Sequence, residues 1–284
     1  MTPTLSDPAR WATLADAELD ALRRAHPADL ALHDWIETTR PALSFGRWMR
    51  VDCRIDPRDE IFRFFATHPS SLNPVRDYLA DGWRSLAELL TLLDRCGRRL
   101  SSLDSLLEYA SGYGRLTRHL APLLPGRLWV ADVMPGATDF AARCFGTLAA
   151  PAVTDPGALR FERAYEVVFV LSLFTHLPPA RWGAWLRALD AAVAPGGLLI
   201  FSVHSEGCDL PPGLASDADG VCFEAASESS HLDSADYGTT YTGRAWVTAQ
   251  VEAALGRVPL LQEGPWFWAG QDAVVVEKPR SAAG

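Results

Sequence analysis

The sequence predicts an α/β fold in which a mostly parallel sheet is covered by helices on both faces and preceded by a helical segment. Three observations carry that expectation. From Ser101 onward, short apolar runs alternate with stretches of helical spacing. Residues 165–172, with the centre Val167-Val168-Phe169-Val170-Leu171, form an unbroken apolar run of the kind a strand buried on both faces requires. Between them lies a small-residue turn, Ser111-Gly112-Tyr113-Gly114, joining one apolar run directly to a helical one.

Taken in order, residues 1–100 show no strand alternation. Stretches such as 17–22 and 85–93 repeat apolar residues at helical spacing, and Pro27, Pro41, Pro57, Pro69 and Pro74 divide the region into short helices. The last of these, about 74–95, carries Tyr78 and Trp83, read either as the lining of a lid over a ligand or as core aromatics. Strand one is expected at 105–110, with Glu108 near its C-terminal end, and its helix at 114–123. Strand two follows at 127–133. Pro135 then opens a helix that Gly146 closes. A short third strand is expected at 152–154, before the turn signal Asp155-Pro156. Strand four, a tryptophan-bearing helix at 179–194, the stop Pro195-Gly196-Gly197 and strand five at 198–204 complete the central run. A helix at 245–255 and two strands, 258–262 and 273–277, end the chain, the turn-rich 264–270 connecting them as a hairpin.

The net charge of −9 argues against nucleic acid or an anionic membrane as partner, since both need basic residues to neutralise phosphate. A small molecule is the expected substrate. Residues 205–243 hold eight acidic residues and neither lysine nor arginine. Five scattered cysteines with no Cys-x-x-Cys pair read as free thiols. The N-terminus has no basic start or apolar core, and no run approaches membrane-spanning length, so a cytoplasmic protein is expected.

Asp132, at the end of strand two, falls 20 residues after Gly112, the spacing of a ribose-binding acid in a nucleotide-binding βαβ unit. Thr117 stands where a dinucleotide turn prefers a third glycine or alanine, which disfavours pyrophosphate. The stretch Glu108-Tyr109-Ala110-Ser111-Gly112-Tyr113-Gly114-Arg115 resembles the first motif of class I S-adenosylmethionine-dependent methyltransferases, with Ala110 at the place of the first glycine. Residues 171–178, Leu-Ser-Leu-Phe-Thr-His-Leu-Pro, and the strand after Pro195-Gly196-Gly197 resemble the fourth and fifth strands of the same family, so the likeness spans about 101–204.

The resemblance implies a seven-stranded sheet of order 3-2-1-4-5-7-6 with strand seven antiparallel. It divides the chain into a helical N-terminal extension or cofactor lid, 1–100, and a Rossmann-like domain, 101–284, with the acidic stretch 205–243 inserted. It also implies S-adenosyl-L-methionine as cofactor and S-adenosyl-L-homocysteine as product. The donor site is assigned to Glu108, Ala110, Ser111, Gly112, Gly114, Asp132, Val133, Ser172 and Tyr78, with Asp155 as a candidate for the adenine amino group. Alanine at 110 is expected in a right-handed or extended backbone.

Methyl transfer from a sulfonium needs positioning and exclusion of water, and a base only if the acceptor carries a proton. His176 and His204, at the ends of strands four and five, are the candidates, because unperturbed histidine titrates at about 6.5. Glu228, His231, Tyr237 and Tyr241 are candidates for substrate contact. The acidic stretch reads as a solvated loop, as a lid favouring a neutral or cationic acceptor, or as a magnesium site; no metal ligand is assigned. The competing readings are an NAD(P)-dependent oxidoreductase on a Rossmann sheet and a non-catalytic S-adenosylmethionine-binding accessory protein. The tryptophan-rich segments are candidates for a homodimer interface.

Overall fold

The computed structural model describes residues 14, 16–30, 32–33, 36–37, 39–40, 50–205, 215–217, 219–226, 229, 231–267 and 270–280. Helices α1 (Asp16–Ala25), α2 (Glu60–Thr67) and α3 (Pro74–Arg95) precede the sheet, and the described residues between 30 and 40 are helical as well. The sheet region then runs β1 (Leu106–Tyr109), α4 (Thr117–Leu120), β2 (Leu128–Ala131), α5 (Ala137–Phe145), β3 (Leu148–Ala149) and β4 (Tyr165–Val170). It continues with α6 (Trp182–Ala191), β5 (Val193–Val203), β6 (Val221–Glu224), β7 (Thr239–Thr242), α7 (Arg244–Leu255), β8 (Leu261–Phe267) and β9 (Gln271–Glu277).

Seven strands form one sheet in the order β3-β2-β1-β4-β5-β9-β8, the order the sequence implied once β9 and β8 are read as its strands seven and six. β1 to β5 pair in parallel, and β9 is antiparallel to both of its neighbours. Side chains of β4 alternate between two cores. Val168 and Val170 pack with Trp182, Trp185, Leu186 and Val247 on one face, while Val167 and Phe169 pack with Leu89, Leu93, Leu116 and Leu120 on the other. Burial on both faces is why the run contains no polar alternation.

Several boundaries differ from the expectation. The third strand is the pair Leu148–Ala149, which joins Trp129 and Val130, and 152–154 is loop. Pro151 lacks a donor with which to prolong the ladder. β8 extends to Phe267, which pairs with Gln271, so much of the turn-rich 264–270 is strand. A second, two-stranded sheet, β6 with β7, lies inside the acidic stretch. Trp182 and Trp185 are buried in the core, so this tryptophan-bearing helix does not offer them to a partner.

One close approach and two arginines bind the N-terminal region to the sheet. Gly82 of α3 lies so close to the glycine-turn helix that an added Cβ would sit 2.1 Å from the Arg115 carbonyl. Buried Arg118 donates to the carbonyls of Gly114, Asp52 and Arg54, each at 2.9 Å, and its guanidinium stacks on Tyr78 and Phe145. Arg58 adds a bond to the Pro135 carbonyl at 3.0 Å. One arginine therefore ties residues 52–54 to the turn after β1, and the segment that follows lies against the same end of the sheet.

Candidate functional site

The carboxyl ends of β1, β2 and β4 open into a cavity of about 350 Å³, the place where open parallel sheets bind ligands. Its floor is the β1 turn. Glu108 is buried, and its Oε2 accepts from the Thr117 hydroxyl at 2.7 Å. Burial, with the neighbouring Asp132 carboxylate adding to it, pushes Glu108 up from 4.5 to about 8.

After β1 the backbone turns through left-handed conformations at Ala110 (φ 59°), Gly112 (φ 55°) and Gly114 (φ 86°). The expectation for Ala110 is corrected here: it sits in the region that costs an L-residue about 1–2 kcal/mol. Gly112 has nothing within 4 Å of the position a Cβ would take, so its glycine is needed for backbone conformation and not for packing space. Gly114 is different, since a Cβ there would meet the Phe145 ring at 2.5 Å.

Asp132 faces that turn. Its Oδ2 accepts from the Gly112 amide at 2.6 Å and its Oδ1 from the Met134 amide at 2.8 Å, so one carboxylate ties the end of β2 to the glycine turn. Burial raises its carboxyl above the ordinary value, opposed by those two amides.

The structure brings together Glu108, Ala110, Ser111, Gly112, Asp132, Val133, Ser172, Tyr78, His176, His231 and Tyr237, all of which line the cavity. Gly114, Asp155, His204 and Tyr241 are not among the lining residues. Asp155 instead accepts from the Gly157 amide at 2.9 Å, and its neighbour Thr154 lines the cavity. Glu228 lies outside the described residues. Trp83 is 44% exposed and does not line the cavity, so it is neither lid lining nor core.

The two histidines are built alike but placed differently. His176 Nδ1 bonds the Gly238 carbonyl at 2.7 Å, and its ring stacks on Tyr237 at 4.5 Å. His204 Nδ1 bonds the Thr240 carbonyl at 3.3 Å, and its ring stacks on Tyr241 at 5.1 Å. Since a carbonyl only accepts, Nδ1 carries the proton in each neutral ring and Nε2 holds the lone pair. Burial lowers both, His204 to about 4, so both rings are neutral near pH 7. Both anchor β7 and the residue before it: the amides of Gly238, Thr240 and Thr242 also donate to the carbonyls of His176, Thr175 and His204.

Sequence reasoning missed the lining supplied from a distance. Asp59, Glu60 and Ile61 come from the start of α2, and Arg181 and Trp185 from around α6. Asp59 is buried at the N-cap of α2, accepting from the Phe62 amide at 3.0 Å and the Tyr78 hydroxyl at 2.5 Å. The only local signal was an acid before an apolar helical run. Six acids line the cavity, Asp59, Glu60, Glu108, Asp132, Asp233 and Asp236, against two arginines. Arg115 pairs with Asp81, and Arg181 with Asp236 at 2.9 Å, so both cationic side chains have carboxylate partners. Among the described residues, no group of three or more His, Cys, Asp or Glu is arranged to hold a metal ion.

Residues 81–245, more than half of the chain, match the family described as a methyltransferase domain. No curated protein matches the chain. Among solved structures, the CcbJ methyltransferase from Streptomyces caelestis is similar at 17% identity and a TM-score of 0.52, over 79% of this chain and 98% of that one. An S-adenosylmethionine-dependent methyltransferase from Clostridium acetobutylicum ATCC 824 is similar at 15% identity and a TM-score of 0.50, over 70% and 92%. The 1,6-didemethyltoxoflavin-N1-methyltransferase of Burkholderia thailandensis, solved with 1,6-didemethyltoxoflavin and S-adenosylhomocysteine bound, is similar at 18% identity and a TM-score of 0.50, over 81% and 93%. At these identities the likeness is one of fold.

Proposed function

Because the chain belongs to the methyltransferase domain family, we propose that its cavity binds S-adenosyl-L-methionine and that the protein methylates a small-molecule acceptor, neutral or cationic. The observation that carries this reading is the meeting of Glu108, the left-handed turn at Ala110–Gly112 and Asp132 at one end of the sheet. The residues fit the donor. Glu108 has one hydroxyl partner and is held protonated by burial, so an ammonium group would supply the counter-charge it lacks. Each Asp132 oxygen accepts one amide and keeps a lone pair for a ribose hydroxyl. The open side of Gly112 admits a ligand against the main chain.

Bound there, the donor supplies a methyl group already activated on a sulfonium, and the protein's work is positioning and exclusion of water. Asp59, Glu60, Ile61 and Tyr78 give the N-terminal region, 1–100, its role as a cover over the domain 101–284. Ser229, His231, Leu232, Asp233 and Tyr237 give the insertion 205–243 its role as the acceptor wall. The acid-rich lining favours a neutral or protonated acceptor and repels phosphate and sulfate. His176 is the base: with Nδ1–H committed to Gly238, the Nε2 lone pair takes the acceptor's proton. His204, off the cavity, anchors β7. A cytoplasmic location suits the thiols Cys53, Cys96, Cys144 and Cys222, all free.

The test is incubation with S-adenosyl-L-methionine and separate panels of amines, phenols, carboxylates and phosphates, followed by mass spectrometry. A methylated amine or phenol supports the reading. Methylation confined to phosphates or carboxylates contradicts the acceptor class.

A further inference from the structure

Ser172 is the first residue but one after β4, it lines the cavity, and it adopts φ 66° without being glycine. A left-handed serine is costly and needs external bonds to hold it. All three of its polar groups are held. Its amide donates to Ser202 Oγ at 2.8 Å, and its carbonyl accepts from the Thr175 hydroxyl at 2.6 Å. Its hydroxyl lies 3.2 Å from Gln271 Oε1 and 3.1 Å from Gln271 Nε2. Gln271 also accepts from the Ser202 hydroxyl at 2.6 Å, so its amide joins the two serines.

Gln271 opens β9, is 2% exposed and is absent from the cavity lining, and Ser202 is fully buried. The amide therefore touches no ligand space, yet it fixes the wall formed by Leu171, Ser172 and Leu173. Without it, Ser202 has a buried hydroxyl proton with no acceptor and Ser172 loses its side-chain restraint. The ladder itself stops at Val170, so the glutamine reaching across β5 holds a strand end that the main-chain pairing no longer holds.

We propose that Gln271 is a positioning residue: through Ser202 and Ser172 it holds the turn after β4 in the left-handed form against which the methyl donor packs. The inference rests on the donor reading above.

Two measurements test it, with Gln271→Met removing the amide at nearly constant volume. In the ligand-free protein, amide hydrogen exchange at Ser172 should rise about tenfold, because its bond to Ser202 loosens, while the amides of β4 keep their protection. In calorimetric titration, affinity for S-adenosylhomocysteine should fall about tenfold. Ser172→Gly, which takes φ 66° without help, should make the second substitution harmless: Gln271→Met with Ser172→Gly binds as Ser172→Gly alone. Unchanged exchange at Ser172, unchanged affinity, or additive effects of the two substitutions overturns the proposal. If Gln271→Met does not fold, Gln271→Leu carries the same test, since it removes the same amide and leaves Ser202 in place. Failure of the unaltered protein to bind would instead count against the donor reading, and the exchange measurement still decides the role of Gln271.

Discussion

Glu108 offers a prediction in which stability and ligand binding move in opposite directions. Its carboxyl is buried and lifted to about 8 from 4.5. An acid whose folded pKa is raised keeps its proton after the unfolded chain has released its own, so the fold loses stability as pH climbs from the unfolded value to the folded one. The penalty worked from that shift is about 1 kcal/mol at pH 5, about 3 at pH 7 and about 4 at pH 8. Glu108→Gln stays neutral at every pH and keeps an oxygen to accept from Thr117. The variant should therefore be more stable than the parent in the absence of ligand, with a gap that widens by about 3 kcal/mol between pH 5 and pH 8. Urea unfolding of both proteins at the two pH values measures it, and titrations elsewhere in the chain cancel in the difference. The same variant should bind S-adenosylhomocysteine more weakly, since an amide offers no charge to an ammonium. A variant no more stable than the parent at pH 8, or a gap independent of pH, would refute the burial of an uncompensated carboxyl.

Three further outcomes follow from single positions. Ala110→Gly relieves a left-handed alanine, so unfolding should show no loss and a gain of up to about 1 kcal/mol, where alanine to glycine inside a helix costs about that much. Gly82→Ala should reverse the usual sign for a helix interior and cost about 1–3 kcal/mol by urea unfolding, because the added methyl meets the Arg115 carbonyl. His176→Gln should lower turnover about a hundredfold or more with donor affinity unchanged; unaltered turnover removes it as the base.

The sheet was legible because its physics is local. The apolar run of β4 and the glycine turn each carry their own pattern, and spacing alone pointed to Asp132, which bonds the Gly112 amide; Pro195-Gly196-Gly197, expected to stop a helix and precede strand five, instead lies inside β5, which begins at Val193. What escaped was set by contacts between distant residues. β3 has two residues, too few for any pattern, and β6 and β7 lie within an acidic stretch whose composition reads as loop. His176 and His204 sit at equivalent strand ends, and only the fold separates the one on the cavity from the one off it. Asp59 reaches the site through α2, and Gln271 acts from β9 across the strand between, so neither carries a local mark of its position.

The most direct test of the donor site is calorimetric titration of S-adenosylhomocysteine into the unaltered protein and Asp132→Ala, in two buffers of different ionisation enthalpy at pH 7. Dissociation near micromolar, about −8 kcal/mol, should weaken tenfold or more in the variant. Binding should also release roughly one proton, as Glu108 ionises against the incoming ammonium. Equal affinity in both proteins, or no binding by a folded unaltered protein, would contradict the assignment of this cavity.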